Sequence, residues 1–193
     1  MVRFVGLLGF IAVAAGQTAP IGRWRSMETS AGGIGAMCEF RDDGTFRFSP
    51  GAVVEMKYRI EGDKLIFPPG TNGGPEQRQS MHWVNADRLI LESLTLSRQG
   101  TTPDAKNPIL GEWTAPREVS GAKMEVRYFF GSEGKTLLLA PFAWQNGVYT
   151  VKDSTIRMEF PGAPPVEGPF HIDGDVLTLP NAGRAGESRM KRY

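Results

Sequence analysis

The chain is poor in the residues on which most chemistry depends. It holds one cysteine and two histidines among 193 residues, and each scarcity removes a class of function. One cysteine, Cys38, rules out an internal disulfide. Set between Met37 and Phe40 in an apolar-alternating stretch, it reads as a buried, inert thiol rather than a reactive one. His82 and His171 have no His-x-x-x-His or His/Cys grouping around them, whereas a zinc or iron site takes three or four ligands. Both read as core or rim histidines, and no metal is expected. Gly-x-Ser-x-Gly is missing, and Ser132 with Lys135 fits Ser-x-x-Lys only inside a turn, where Ser and Gly are expected anyway. The carboxylate pairs Asp42/Asp43 and Asp173/Asp175 also fall in predicted turns. Gly32-Gly33-Ile34-Gly35 lacks the following helix that a phosphate cradle needs. No catalytic residue and no cofactor are therefore expected.

Net charge is also missing. Lys and Arg number 22 against 21 Asp and Glu, which gives +1, or zero without Arg3. Nothing here favours electrostatic capture of nucleic acid or of an anionic membrane. Helical periodicity is scarce. The one sustained apolar run, residues 4–13, is shorter than the roughly 20 residues that span a bilayer. With Arg3 before it and Ala14-Ala15-Gly16 behind it, the run reads as an export signal over residues 1–16, cleaved before Gln17. No cysteine adjoins that cleavage site, so a lipid anchor is not expected. The mature chain is expected to be soluble, secreted or periplasmic, without membrane insertion.

Glycine and proline, by contrast, are plentiful at 24 and 14 residues, which suits many short strands joined by tight turns. The chain also repeats itself. Gly22-Arg23-Trp24 recurs as Gly111-Glu112-Trp113, an offset of 89, and the turn Arg41-Asp42-Asp43-Gly44-Thr45 recurs as Gly131-Ser132-Glu133-Gly134-Lys135 at an offset of 90. Tyr58 answers to Tyr149, and Leu89 to Leu177. A fixed offset over several landmarks marks a duplicated unit. The units are predicted at 21–98 and 109–193, with the polar, turn-rich segment 99–108 as linker.

Within each unit the apolar residues alternate. Cys38 and Phe40 share a face opposite Glu39 and Arg41, Phe46 and Phe48 return on one face after Asp42-Asp43-Gly44, and Val54, Met56, Tyr58 and Ile60 alternate with Glu55, Lys57 and Arg59. This is the period of strands with one buried face. Successive strands joined by short turns are antiparallel neighbours, and a thin domain of about eight of them hides its edges most simply by closing on itself. The expected fold is all-β: two tandem small antiparallel up-and-down β-barrels. A single larger barrel or sandwich built from both repeats is the competing architecture.

The Gly-x-Trp on a first strand, the meander and the basic residue on a last strand resemble the lipocalin-like domains, in their compact, truncated form. In that family the Trp crosses the closed end of the barrel beneath an Arg from the final strand. The resemblance implies that Trp24 pairs with Arg98 and Trp113 with Arg192, a cation–π contact worth roughly 0.5–2 kcal/mol. Eight strands leave an interior just wide enough for side chains or one small ligand. The aromatic residues Trp83, Tyr58, Phe67, Trp144, Tyr149 and Phe160 are the candidate ligand-lining residues, in interiors expected to be mostly filled. The Pro/Gly loops 68–77 and 161–169 are the candidate rims. The function expected is non-enzymatic binding of a small apolar ligand or of an extracytoplasmic protein partner. The competing expectation is a weak hydrolase or isomerase in one barrel mouth, with His82 or His171 as base.

Overall fold

The computed structural model describes residues 18–69, 74–100, 106–119, 121–181 and 186–193. The proposed export segment, the tip of the first Pro/Gly loop and half of the linker lie outside them. The described residues contain strands and no helix. The first repeat contributes β1 (Gly22–Ser26), β2 (Ile34–Phe40), β3 (Thr45–Lys57), β4 (Arg59–Glu61), β5 (Lys64–Phe67), β6 (Gln77–Asn85), β7 (Arg88–Leu91) and β8 (Leu94–Gln99). The second contributes β9 (Gly111–Val119), β10 (Ala122–Phe130), β11 (Lys135–Pro141), β12 (Gln145–Lys152), β13 (Thr155–Glu159), β14 (Val166–Pro169), β15 (His171–Asp173), β16 (Val176–Pro180) and β17 (Glu187–Arg192). Every ladder is antiparallel.

The first hairpin forms as the sequence predicts, whereas Ile60, expected on the buried face with Tyr58, is exposed and Val53 is buried instead. Phe40 faces Phe46 across the first hairpin. In its turn Gly44 takes φ +78, and the Asp43 carboxylate accepts from the Thr45 amide at 2.8 Å. Such a turn needs a residue without a Cβ penalty at positive φ.

The strands do not assemble repeat by repeat. β3 runs on past the first repeat's own strands and pairs along its second half with β11, from Gly51↔Pro141 to Lys57↔Lys135, and along its start with β12, Thr45↔Val148 to Phe48↔Gln145. Thr45 and Lys135, equivalent in the two repeats, thus face Val148 and Lys57, and a pseudo-twofold axis lies between the paired strands. Two lobes result. Lobe A joins β1, β2 and the start of β3 to β12–β17, with β17 returning to β1. Lobe B joins β9, β10 and β11 to the end of β3 and β4–β8, with β8 returning to β9. The apolar cores follow the lobes. One contains Trp24, Cys38, Phe40 and Phe46 beside Tyr149, Ile156, Leu177 and Met190. The other contains Tyr58, Leu65, Leu89 and Leu96 beside Trp113, Val126, Tyr128 and Phe130. The repeat boundaries at 21–98 and 109–193 therefore do not bound the cores.

Two further expectations need correction. First, the sheet is antiparallel but not closed into barrels. In lobe A no ladder joins β14 to β15 or β16 among the described residues. There Gly168 stands against Pro180, close enough that a Cβ would sit 2.9 Å from the ring, and Pro169 and Pro180 have no N–H to donate. In lobe B the ladder is interrupted at Tyr58, between β3 and β4, and β4 pairs with β5 over only three residues. Second, the tryptophan–arginine partners are exchanged. The Arg192 guanidinium lies 4.3 Å from the Trp24 ring centroid and that of Arg98 lies 4.1 Å from Trp113. The contact expected from the resemblance exists, but each partner comes from the other repeat because the strands have crossed over.

The two ends so formed are near copies. Both indoles are fully buried, and each donates to a carbonyl four residues upstream, Pro20 or Ile109, at 2.7 Å. Each arginine caps its indole while donating to the carbonyl of the residue just before the neighbouring strand, Ile21 at 3.0 Å and Leu110 at 2.7 Å. The glycine of Gly-x-Trp makes room for this. Gly22 has φ +128, and a Cβ there would meet the Arg192 guanidinium at 2.6 Å. Between the lobes, Arg23 donates twice to Glu112, at 2.8 and 2.9 Å, across the same position of the two repeats. Met37, Val53 and Leu139 make a small third core there, packed by Phe129, Trp144 and Tyr193.

Candidate functional site

Lobe A contains an apolar recess of about 230 Å3. Its walls are Cys38 on β2, Phe46 and Phe48 on β3, Met158 on β13, Val166 on β14, Leu179 on β16 and Met190 on β17, with Phe160 at the end of β13. Register places the recess in the lobe. Trp24 faces Cys38 and Arg192, so those residues mark the end closed by the indole. Ser26, Ala36, Val166 and Ser188 lie toward the opposite end, since Ser26 faces Met190, Met158 faces Val166 and Leu179 faces Ser188. The polar lining residues Asn181 and Ser188 also lie toward that second end.

Lobe B fills the equivalent positions differently. Pairing registers align Trp24↔Cys38 with Tyr128↔Trp113 and Leu179↔Ser188 with Leu91↔Leu94. Where lobe A has Cys38, Ala36 and Ser188, lobe B therefore has Tyr128, Val126 and Leu94. Tyr128 and Val126 are buried in its core, against which Leu94 packs, and Trp83 adds an edge-on contact to Trp113 at 5.8 Å. The same register sets Phe46 and Phe48 of lobe A against Thr136 and Leu138 of lobe B, so the two lobes distribute their bulk differently.

The Cys38 thiol forms part of the wall and is chemically quiet. It is 2 % exposed, and burial pushes its pKa well above the usual thiol range, which keeps it protonated. Tyr149, beneath the recess, is held by donation from its hydroxyl to the Arg41 carbonyl at 2.7 Å. Its counterpart Tyr58 does the same to Gly131 at 3.0 Å. Burial raises the pKa of both phenols. Both hydroxyls are thus structural clamps on the turns opposite.

Outside the recess lies a shallow groove of about 620 Å3 edged by Arg41, Asp43, Asn146 and Glu159. Phe46 and Phe160 line both spaces. Phe160 is half-buried and packs edge-on against Phe46 at 4.9 Å and Phe48 at 6.2 Å, so its ring is the partition between groove and interior.

The six aromatic residues singled out from the sequence are dispersed by this arrangement. Tyr58 and Phe67 are buried in the lobe B core and Trp83 packs against it. Tyr149 is buried in lobe A. Trp144 lies between the lobes, its ring 4.3 Å from the Arg47 guanidinium. Of the six, Phe160 lines the recess. Sequence reading missed Cys38, Met158, Leu179 and Met190 as lining residues because it searched for large rings, and these residues meet only across the two repeats. His82 and His171 are exposed on outward faces of β6 and β15, away from the recess. Among the described residues no cluster of three His, Cys, Asp or Glu could hold a metal ion, and no helix is long and apolar enough to cross a membrane.

The chain matches no protein-family model, no curated protein and no solved structure, so the site's own geometry carries the functional argument.

Proposed function

We propose that this protein is a non-enzymatic binding protein for a small apolar molecule, held in lobe A, and that it acts outside the cytoplasm. The observation that carries the reading is the recess itself, about 230 Å3 of mostly apolar space walled by Cys38, Phe46, Phe48, Met158, Leu179 and Met190 from both repeats. Close packing is the norm for interiors, and an apolar void costs stability in proportion to its volume, so an empty recess of this kind is an expense unless something occupies it. Kinship with lipocalin-like domains fits the Trp–Arg closed end. The apolar run at 4–13 followed by Ala14-Ala15-Gly16 supports export.

Methionine methyl groups provide the test, since Met158 and Met190 line the recess while Met81 belongs to lobe B. In protein carrying 13C-methyl methionine, naphthalene should shift Met158 and Met190 and leave Met81 in place. The variant Cys38→Tyr, which installs the lobe B residue, should remove the shifts. Unmoved Met158 and Met190 signals would overturn the reading. N-terminal sequencing of the exported protein should begin at Gln17.

A further inference from the structure

The chemistry of the lining narrows the ligand, a step that rests on the binding reading above. We propose that lobe A selects an uncharged amphiphile of about eight to twelve heavy atoms, its apolar body against Cys38, Met158 and Met190 and its polar end at Asn181 and Ser188.

Size is the first constraint. An apolar cavity of about 150 Å3 accommodates benzene, so about 230 Å3 suits a body of one and a half such rings, such as a fused bicycle. Charge is the second. None of the described lining residues is ionisable except the Cys38 thiol, which burial keeps neutral. A carboxylate or ammonium drawn into the recess would lose hydration and meet no opposite charge among the described lining residues. The groove beyond Phe160 adds no preference for an anion, because Asp43 and Glu159 stand there with Arg41.

Polarity is the third constraint, and it is confined to one end. Ser26, Asn181 and Ser188 are the polar lining residues. The Ser26 hydroxyl is already engaged with Ala36, accepting from its amide at 2.8 Å and donating to its carbonyl at 3.3 Å. Asn181 and Ser188 lie at the end away from the indole, where the Asn181 backbone amide donates to the Gly186 carbonyl at 3.1 Å. A carboxamide and a hydroxyl together offer a donor and an acceptor to a neutral polar group, while Phe160 closes over the apolar body. The recess therefore reads one neutral polar atom at that end and hydrocarbon elsewhere.

The test is a set of matched probes at pH 7, read through the Met158 and Met190 methyls: naphthalene, 2-naphthol, 2-naphthoate, 1-naphthylmethylammonium and pyrene. We expect 2-naphthol to bind at least tenfold tighter than either ion, and pyrene to be excluded. In Asn181→Leu/Ser188→Ala, 2-naphthol should fall to the affinity of naphthalene while naphthalene binds at least as well as before. A preference for 2-naphthol below tenfold, or pyrene shifting the same methyls, overturns this proposal and leaves the binding reading standing. Naphthalene shifting neither methyl removes both. Should the double variant fail to fold, Ser188→Ala alone must still weaken 2-naphthol relative to naphthalene, and an unchanged ratio counts against the proposal.

Discussion

Exchange of strands between the repeats makes a quantitative demand on four residues. If Arg192 caps Trp24 and Arg98 caps Trp113, double-mutant cycles should find coupling within those pairs and none in the crossed pairs. Both guanidinium carbons lie well inside the roughly 6 Å limit for a cation–π contact, at 4.3 and 4.1 Å. The Arg98 side chain is 2 % exposed, which places its coupling near the desolvated end of the scale, about 1–2 kcal/mol. Arg192 is exposed and should give about 0.5–1 kcal/mol. Trp→Leu and Arg→Met substitutions, singly and together, would be followed by urea unfolding with far-UV circular dichroism. Trp24/Arg98 and Trp113/Arg192 should be additive within about 0.5 kcal/mol. Coupling in these crossed pairs, with none in the observed ones, would mean that each repeat closes on itself and would refute the exchange.

Other perturbations probe the junction and the core. Gly51→Ala should destabilise by about 1–3 kcal/mol, because a Cβ there would stand 2.3 Å from the Ala140 carbonyl oxygen; an unchanged urea midpoint would contradict the β3–β11 pairing. Burial holds the Cys38 thiol protonated and raises the Tyr193 phenol to about 12, while in the unfolded chain these groups ionise near 8.5 and 10. The folded state therefore keeps its protons longer. That contribution is whole below about pH 8 and is lost as pH rises through the folded values. The urea midpoint should fall above about pH 9 and fall less in Cys38→Ala/Tyr193→Phe; a wild-type midpoint flat to about pH 11 would refute this. Glu112→Gln leaves Arg23 and Arg127 without their shared carboxylate. It should cost about 1 kcal/mol, discounted for partial exposure and diminishing in salt, and no loss at low salt would contradict a role for the pair at the junction.

Much of the architecture was legible because it is local. Alternation at Val54–Ile60, the Asp42-Asp43-Gly44 turn and the fixed offset between Gly22-Arg23-Trp24 and Gly111-Glu112-Trp113 each depend on a few neighbouring residues, and strand, hairpin and repeat follow from them. Which copy of a strand pairs with which was not legible. Thr45 and Lys135 occupy the same place in near-identical surroundings, so β3 finds equivalent partners in either repeat and only the three-dimensional pairing distinguishes them. Non-closure was not legible either, since the apposition of Gly168 and Pro180 in lobe A joins residues far apart in the chain. The recess escaped notice because its walls come from both repeats, Cys38 and Phe46 from the first and Met158, Leu179 and Met190 from the second, so no one stretch of sequence shows them together.

Cutting the chain gives the most direct test of the central claim, that each core is assembled from both repeats. With a protease site introduced in the segment 101–105 and cleaved, native size-exclusion chromatography should return both halves in one particle, with near-ultraviolet dichroism unchanged until denaturant is added. Elution of two separate, folded, half-sized particles would contradict it.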